Sequence, residues 1–129
     1  MRVRASLTTV VLTALLPVGS AVAAPHPAPD RGVLLTVSGS ANTWIRGVVL
    51  HCPPGPDDRH PDAPGACAAL DAAGGDFDAL AGDPHPCTDE NDPVTVTAEG
   101  VRQGDAVDWR HTYPNACLMD AATGPVFRF

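Results

Sequence analysis

The sequence contains no lysine, and its positive charge comes only from eight arginines. Against them stand 15 aspartates and glutamates, for a formal net charge of −7 with neutral histidines. A surface this acidic repels phosphate backbones and anionic lipid headgroups. The composition therefore argues against nucleic acid and membrane surfaces as partners.

Nucleophiles for catalysis are equally scarce. Beyond residue 23 the chain has two serines, Ser38 and Ser40, and neither lies in a G-x-S-x-G motif. No C-x-x-C or H-x-x-x-H spacing suggests zinc, and Asp57, Asp58 and Asp62 lack calcium-loop spacing. We interpret these aspartates as solvated charges, and we interpret the histidines as solvated loop residues rather than metal ligands: His26, His51, His60, His85 and His111. We expect no enzymatic activity, no metal and no cofactor.

The amino terminus has the features of a signal peptide. Arg2 and Arg4 precede a short apolar run, which is too short for a membrane anchor and is followed by the small-residue pattern Ala-Val-Ala at 21–23. We predict a signal peptide over residues 1–23, a flexible proline-rich tail over 24–32 and one folded domain over 33–129. Without Arg2 and Arg4, six arginines face the 15 acidic residues, so the secreted chain carries −9.

Four cysteines lie in the exported part of the chain, and an even count there indicates two disulfides. Four cysteines allow three pairings. We favour the sequential pairing, Cys52 with Cys67 and Cys87 with Cys117, because each bridge then closes a loop that is rich in proline and glycine or flanked by strands.

Hydrophobic patterning predicts an α+β fold with an antiparallel sheet. Aliphatic or alternating segments indicate five strands, the last of them short: 33–37, 45–52, 94–101, 106–113 and 126–129. Alanine-rich residues 66–73 predict a helix that ends at Gly74 and Gly75, and residues 77–80 predict a single turn or a short helix. The proline-rich stretch 52–67 must be a loop.

A second loop carries the most distinctive polar stretch of the chain. Between Pro86 and Pro93 lie Cys87 and the polar residues Thr88 to Asp92. Pro93 forces the residue before it toward extended torsions, and a bridge at Cys87 would fix the loop from beneath. Residues 88–91 would then be exposed and extended, which is the conformation that a protease cleft accepts. An ordinary charged surface loop is the other interpretation.

Several motifs, in order along the chain, resemble the Streptomyces subtilisin inhibitor family of secreted serine-protease inhibitors. They are LLTVSG, VVLHCPPGP, HPDAPGACAALDAAGGDFDAL, CTDENDPVTVTAEGVRQG, YPNACLM and VFRF. The resemblance implies a five-stranded antiparallel sheet with two short helices, the two disulfides favoured above and a homodimer. It also implies a reactive-site loop of Cys87, Thr88, Asp89, Glu90 and Asn91, with Asn115 and Pro93 as its supports.

Carried over residue by residue, the resemblance places the reactive bond between Asp89 and Glu90, where a serine endopeptidase would attack. The family usually has a hydrophobic or basic side chain in place of Asp89. A carboxylate suits a protease selective for acidic residues better than a subtilisin with an apolar pocket. The alternative is a secreted, non-inhibitory binding or structural protein on the same scaffold. For the homodimer we expect an apolar outer sheet face around Val33, Leu35 and Val37.

Overall fold

The computed structural model describes residues 19–23 and 31–129. Most of the predicted signal peptide and of the predicted tail lies outside these residues. The regular elements are four strands, β1 (Gly32–Gly39), β2 (Ile45–Leu50), β3 (Val94–Arg102) and β4 (Asp105–Tyr113), and two helices, α1 (Ala63–Ala72) and α2 (Ala116–Thr123). Short 3-10 segments are Ser40–Asn42, Phe77–Ala79 and Gly124–Phe127.

The strands form one antiparallel sheet in the order β2-β1-β3-β4. The register places Leu35 opposite Val48 on one side and opposite Ala98 on the other. Because side chains alternate along each strand, one face of the sheet is apolar and buried. The residues of β1 and β3 on this inner face are almost fully buried: Val33, Leu35, Val37, Val94, Val96 and Ala98.

Helices and 3-10 segments cover the inner face. The Asp62 side chain caps α1 by accepting a hydrogen bond from Gly65 N at 3.0 Å, so the helix begins at Ala63, three residues before the predicted start. Phe127 is fully buried, and its ring lies against those of Phe77 and Trp109. These aromatic contacts join the carboxyl-terminal segment to the sheet.

The prediction of a fifth strand is wrong. Residues 124–127 form a 3-10 helix that contacts α1, in place of a strand. Gly124 adopts φ 57°, a left-handed conformation that suits glycine, and Pro125 has no N–H to donate to a sheet. Val126 and Phe127 are buried between the helices and the inner face of the sheet, and they do not extend the sheet as an edge strand.

The prediction that Val33, Leu35 and Val37 form an apolar outer face of the sheet is also wrong. Val33, Leu35 and Val37 are at most 2% exposed and belong to the core. The residues between them in β1 point outward instead. Leu34 and Val49, which are paired in the register, are exposed on this outer face.

The prediction of two disulfides is confirmed. Cys52 is bridged to Cys67 across the proline-rich loop, and Cys87 is bridged to Cys117. The structure describes no free cysteine. The second bridge ties the polar loop to the first turn of α2.

His60 is buried, contrary to the expectation of a solvated histidine. Its Nδ1 accepts a hydrogen bond from Asp62 N at 3.0 Å, so its Nε2 carries the proton and donates to Val126 O at 3.0 Å. Both ring nitrogens are therefore paired, and the histidine links the disulfide loop to the carboxyl-terminal segment.

Candidate functional site

Residues 80–93 run from the segment Phe77–Ala79 to β3 without helix or strand. Thr88, Asp89, Glu90 and Asn91 are all exposed. The loop enters the sheet at Val94, which is buried and opposite Tyr113 of β4. An exposed segment is therefore held between a disulfide at one end and a core strand at the other.

Asn115 supports this loop from beneath. Its Nδ2 donates to the carbonyl oxygens of Thr88 at 3.2 Å and Glu90 at 2.8 Å, the residues on either side of Asp89. Its Oδ1 accepts from Leu118 N at 2.9 Å and so caps α2. Asn115 is 4% exposed, so water competes little for these bonds. One buried side chain thus connects the loop to the helix.

The outgoing end of the loop is held by two further hydrogen bonds. Asp92 N donates to Pro114 O at 3.0 Å, and Ser40 Oγ donates to Pro93 O at 3.3 Å. Pro93 also restricts the torsions of Asp92. The backbone after Asp89 is therefore bound on both sides before it joins β3.

Ion pairs hold the incoming end. His85 Nε2 lies 2.8 Å from Asp120 Oδ2, and Arg128 Nε donates to Asp120 Oδ1 at 2.5 Å. Arg128 Nη2 also donates to Asp83 Oδ2 at 3.0 Å. The hydrogen bond from the Arg128 guanidinium is the main cause that lowers the pKa of Asp120. Burial acts in the opposite direction, but with the further bond to His85 the pKa of Asp120 stays below its usual value. The hydrogen bond to Asp120, aided by Pro86 O, raises the pKa of His85.

We expect the pairing of His85 with Asp120 to be detectable in the titration of His85. Protonated His85 stabilises the fold below its unfolded pKa of about 6.5, and this stabilisation is lost as pH rises through the higher folded pKa. An NMR titration should find the His85 pKa above 6.5, and Asp120→Asn should lower it. Asp83→Asn removes a carboxylate that acts on His85 only through its charge, so it should shift the His85 pKa less. An unchanged His85 titration in Asp120→Asn would show that the pair does not form in solution.

His85, Cys87 and Cys117 also place an imidazole nitrogen and two sulfurs within 4.8 Å of one another. Both sulfurs are joined in the disulfide. A metal binds thiolates, and these sulfurs are not thiolates. The three residues are thus a structural cluster below the loop.

Two aspartates of the proline-rich loop, Asp58 and Asp62, have structural roles. Asp58 Oδ1 lies 3.0 Å from His51 N and 3.1 Å from His51 Nδ1, and Gly55 N donates to Oδ2 at 2.6 Å. Burial alone would raise the pKa of Asp58, but these hydrogen bonds outweigh it and lower the pKa. Asp62 caps α1, so these two carboxylates are not simply solvated charges.

Sequence reasoning did not find the ion pairs of Asp120, Arg128 and Asp83. Their partners lie up to 45 residues apart, and no local pattern marks them. Asn115 was assigned as a loop support only through the family resemblance. An asparagine after proline and before an alanine-rich stretch is nevertheless a helix-cap signal in the sequence. Among the described residues, no helix is long and apolar enough to span a membrane.

A family model described as subtilisin inhibitor-like matches residues 30–115. The chain belongs to this family. It is 46% identical over 106 residues to protease inhibitor SIL-V2 of Streptomyces orinoci, covering 79% of this chain and 97% of that protein. It is 42% identical over 121 residues to the subtilisin inhibitor of Streptomyces albogriseolus, covering 86% of this chain and 84% of that protein. The family consists of protease inhibitors, not enzymes.

A solved structure is also similar, that of Streptomyces caespitosus sermetstatin in complex with Bacillus licheniformis subtilisin. Its TM-score is 0.60 at 33% identity, and the match covers 76% of this chain and 97% of that one. The match therefore covers nearly all of the neighbour's chain.

Proposed function

We propose that the protein is a secreted, substrate-like inhibitor of serine endopeptidases whose reactive bond joins Asp89 to Glu90. The observation that carries this proposal is the support of Asn115 for the carbonyls on both sides of Asp89, within an exposed and disulfide-linked loop. The similar solved structure, that of sermetstatin, is in complex with subtilisin, and this supports a serine protease as the partner.

The loop would dock in the protease cleft by backbone hydrogen bonding, as an extended peptide does. The Asp89 carbonyl oxygen would enter the oxyanion hole and face the catalytic serine. If the bond is cut, the disulfide and the hydrogen bonds at Pro93 and Asp92 keep the amine of Glu90 close. Resealing then competes with hydrolysis, and the loop pays little ordering entropy on binding.

Asp89 should decide which protease is bound. Its carboxylate is exposed and forms no ion pair within residues 31–129. Burying it unpaired in an apolar pocket costs on the order of a few kcal/mol. A protease selective for acidic residues offers cationic or donor groups there. We therefore propose an acidic-selective serine endopeptidase as the preferred target.

A protease panel tests the function. The purified protein is titrated against subtilisin, trypsin and an acidic-selective serine protease, and the residual activities are measured. Tight inhibition of the acidic-selective enzyme supports the proposal. No inhibition of any enzyme in the panel would favour a non-inhibitory secreted protein on the same scaffold. Mass spectrometry of slowly cleaved inhibitor should find the cut after Asp89.

Secretion is proposed from the amino terminus. Residues 1–23 have the charge and apolar pattern of a signal peptide. Two disulfides are also typical of an oxidising, extracellular compartment. Amino-terminal sequencing of the protein recovered from the medium should begin near Ala24.

A homodimer through the outer face of the sheet is also proposed. Leu34, Ile45 and Val49 are exposed on this face. Leu34 of β1 is paired with Val49 of β2, and Ile45 lies further along β2 on the same face. An apolar surface of this kind is stabilised when a second copy covers it. This face points away from the helices, so a dimer would leave the loop accessible.

We expect light scattering at micromolar concentration to give twice the monomer mass. In a symmetric dimer each substitution occurs twice at the interface, so Leu34→Glu should weaken association by about 100-fold or more. Gln103→Glu adds the same charge in the exposed β3–β4 turn and should leave the dimer intact. A wild-type mass equal to one chain would exclude the dimer.

A further inference from the structure

The tip of the β1–β2 hairpin lies beside the outgoing end of the loop. The register places Gly39, the last residue of β1, opposite Val94, the first residue of β3. Ser40 Oγ donates to Pro93 O at 3.3 Å, directly before β3. Both the hairpin tip and the loop therefore emerge from the same end of the sheet.

This tip carries an aromatic ring and a cation. Trp44 is 42% exposed, and its indole lies so close to Gly39 that a Cβ there would be 2.4 Å from Nε1. The Arg46 guanidinium lies 5.1 Å from the centre of the Trp44 ring. Within residues 31–129 Arg46 makes no ion pair. We refer to these two side chains as the Trp44–Arg46 platform.

The platform is positioned before any partner binds. Gly39 N donates to Trp44 O at 3.1 Å, which fixes the main chain of Trp44, and the indole lies directly against Gly39. The cation–π contact with the indole restrains the Arg46 side chain. Tryptophan and arginine lose little freedom when such a pair is covered, and both are enriched among residues that dominate binding energy.

The reactive loop alone is too small for a stable complex. Four extended residues, Thr88–Asn91, span only about 13 Å. A standard interface buries about 800 Å² on each partner and involves roughly 20–30 residues a side. Surfaces that flank the loop must therefore contact the enzyme as well. The platform is an exposed aromatic surface at the sheet end where the loop joins β3, next to Pro93.

We propose that the Trp44–Arg46 platform is a second contact for the serine protease that binds the loop, on the side of the cleft that receives Glu90 and the residues after it. This inference rests on the proposed inhibitory function. The enzyme surface that fits is apolar with a carboxylate at its edge, because it would cover the indole and pair with Arg46. The platform then adds binding energy that does not depend on the residue at position 89.

Substitutions at the platform test the contact in the intact protein. For the protease that the wild type inhibits best, Trp44→Ala should raise the dissociation rate about 10-fold or more, and Trp44→Phe should restore much of the loss. Arg46→Gln should slow association at low salt by about 3-fold. Arg59→Gln is the matched control, since Arg59 is exposed in the loop between β2 and α1, which follows the far end of β2. It should leave both rates unchanged.

A footprint on the wild-type protein avoids any effect of substitution on folding. Oxidative labelling with mass spectrometry is performed on the free inhibitor and on its complex. We expect Trp44 to be labelled when free and protected in the complex. Tight inhibition with Trp44 still labelled overturns this inference alone. Protection of Trp44 already in the free protein would assign the platform to self-association and also overturn it. A wild-type protein that binds no protease rejects both the inference and the proposed function.

Discussion

Replacing Asn115 by alanine is expected to convert a lasting inhibitor into a protein that its target protease cleaves. The substitution removes the bonds from Nδ2 to Thr88 O and Glu90 O, and with them the support beneath the reactive bond. A loop that moves after cleavage releases the amine of Glu90, so hydrolysis overtakes resealing. We expect the inhibition constant to rise about 100-fold, in line with the loss of preorganisation.

The same substitution removes a helix cap, so stability must be measured beside inhibition. Losing the cap on Leu118 N costs about 1 kcal/mol, and the two loop bonds add about 0.5–1.5 kcal/mol each. Asn115→Ser separates these effects, since serine caps helices well but is too short to support the loop. It should recover the cap's contribution of about 1 kcal/mol and yet inhibit as poorly as Asn115→Ala. Wild-type inhibition by Asn115→Ser would show that the support is unimportant.

Replacing Asp89 by leucine is expected to exchange one class of target for another. Against a subtilisin with an apolar pocket, the leucine removes the cost of burying a carboxylate, so inhibition should improve by about 100-fold or more. Against an acidic-selective protease, the same change leaves the cationic or donor groups of the pocket unpaired. Inhibition should weaken by a similar factor.

Inhibition constants against one enzyme of each class provide the measurement. The free variant should unfold as the wild type does, because Asp89 is exposed and its side chain takes part in no hydrogen bond or ion pair of the described residues. Thr88→Ala is a control for the fold alone, since only the carbonyl of Thr88 is bonded by Asn115. Unchanged constants for Asp89→Leu with both enzymes would contradict the assignment of the reactive bond.

The central strands of the sheet were predictable because their pattern is local. Val94, Val96 and Ala98 alternate with polar residues, and β3 has this alternation buried on one face. β1 is different, since Leu34 is apolar and lies between the core residues Val33 and Leu35. Pattern alone cannot assign the two faces of such a strand, and the outward face was accordingly misassigned.

The two ends of the candidate site differ in how much a sequence can reveal. The number of cysteines and the positions of Pro86 and Pro93 are enough to predict a constrained loop. The pairing of His85 with Asp120 and of Asp120 with Arg128 depends on the packing of α2 against the carboxyl-terminal segment. Such contacts join residues that are distant in sequence, and their geometry exists only once the chain has folded.

The support from Asn115 touches the loop solely through main-chain carbonyls, at Thr88 and Glu90. Carbonyl oxygens are present whatever the side chain, so the support makes no demand on the identity of residues 88 to 90. A library randomised at these three positions should therefore yield mostly folded variants, with the choice of enzyme separated from the maintenance of the scaffold. The same scaffold is therefore suited to carry different reactive-site sequences, each directed at a different protease.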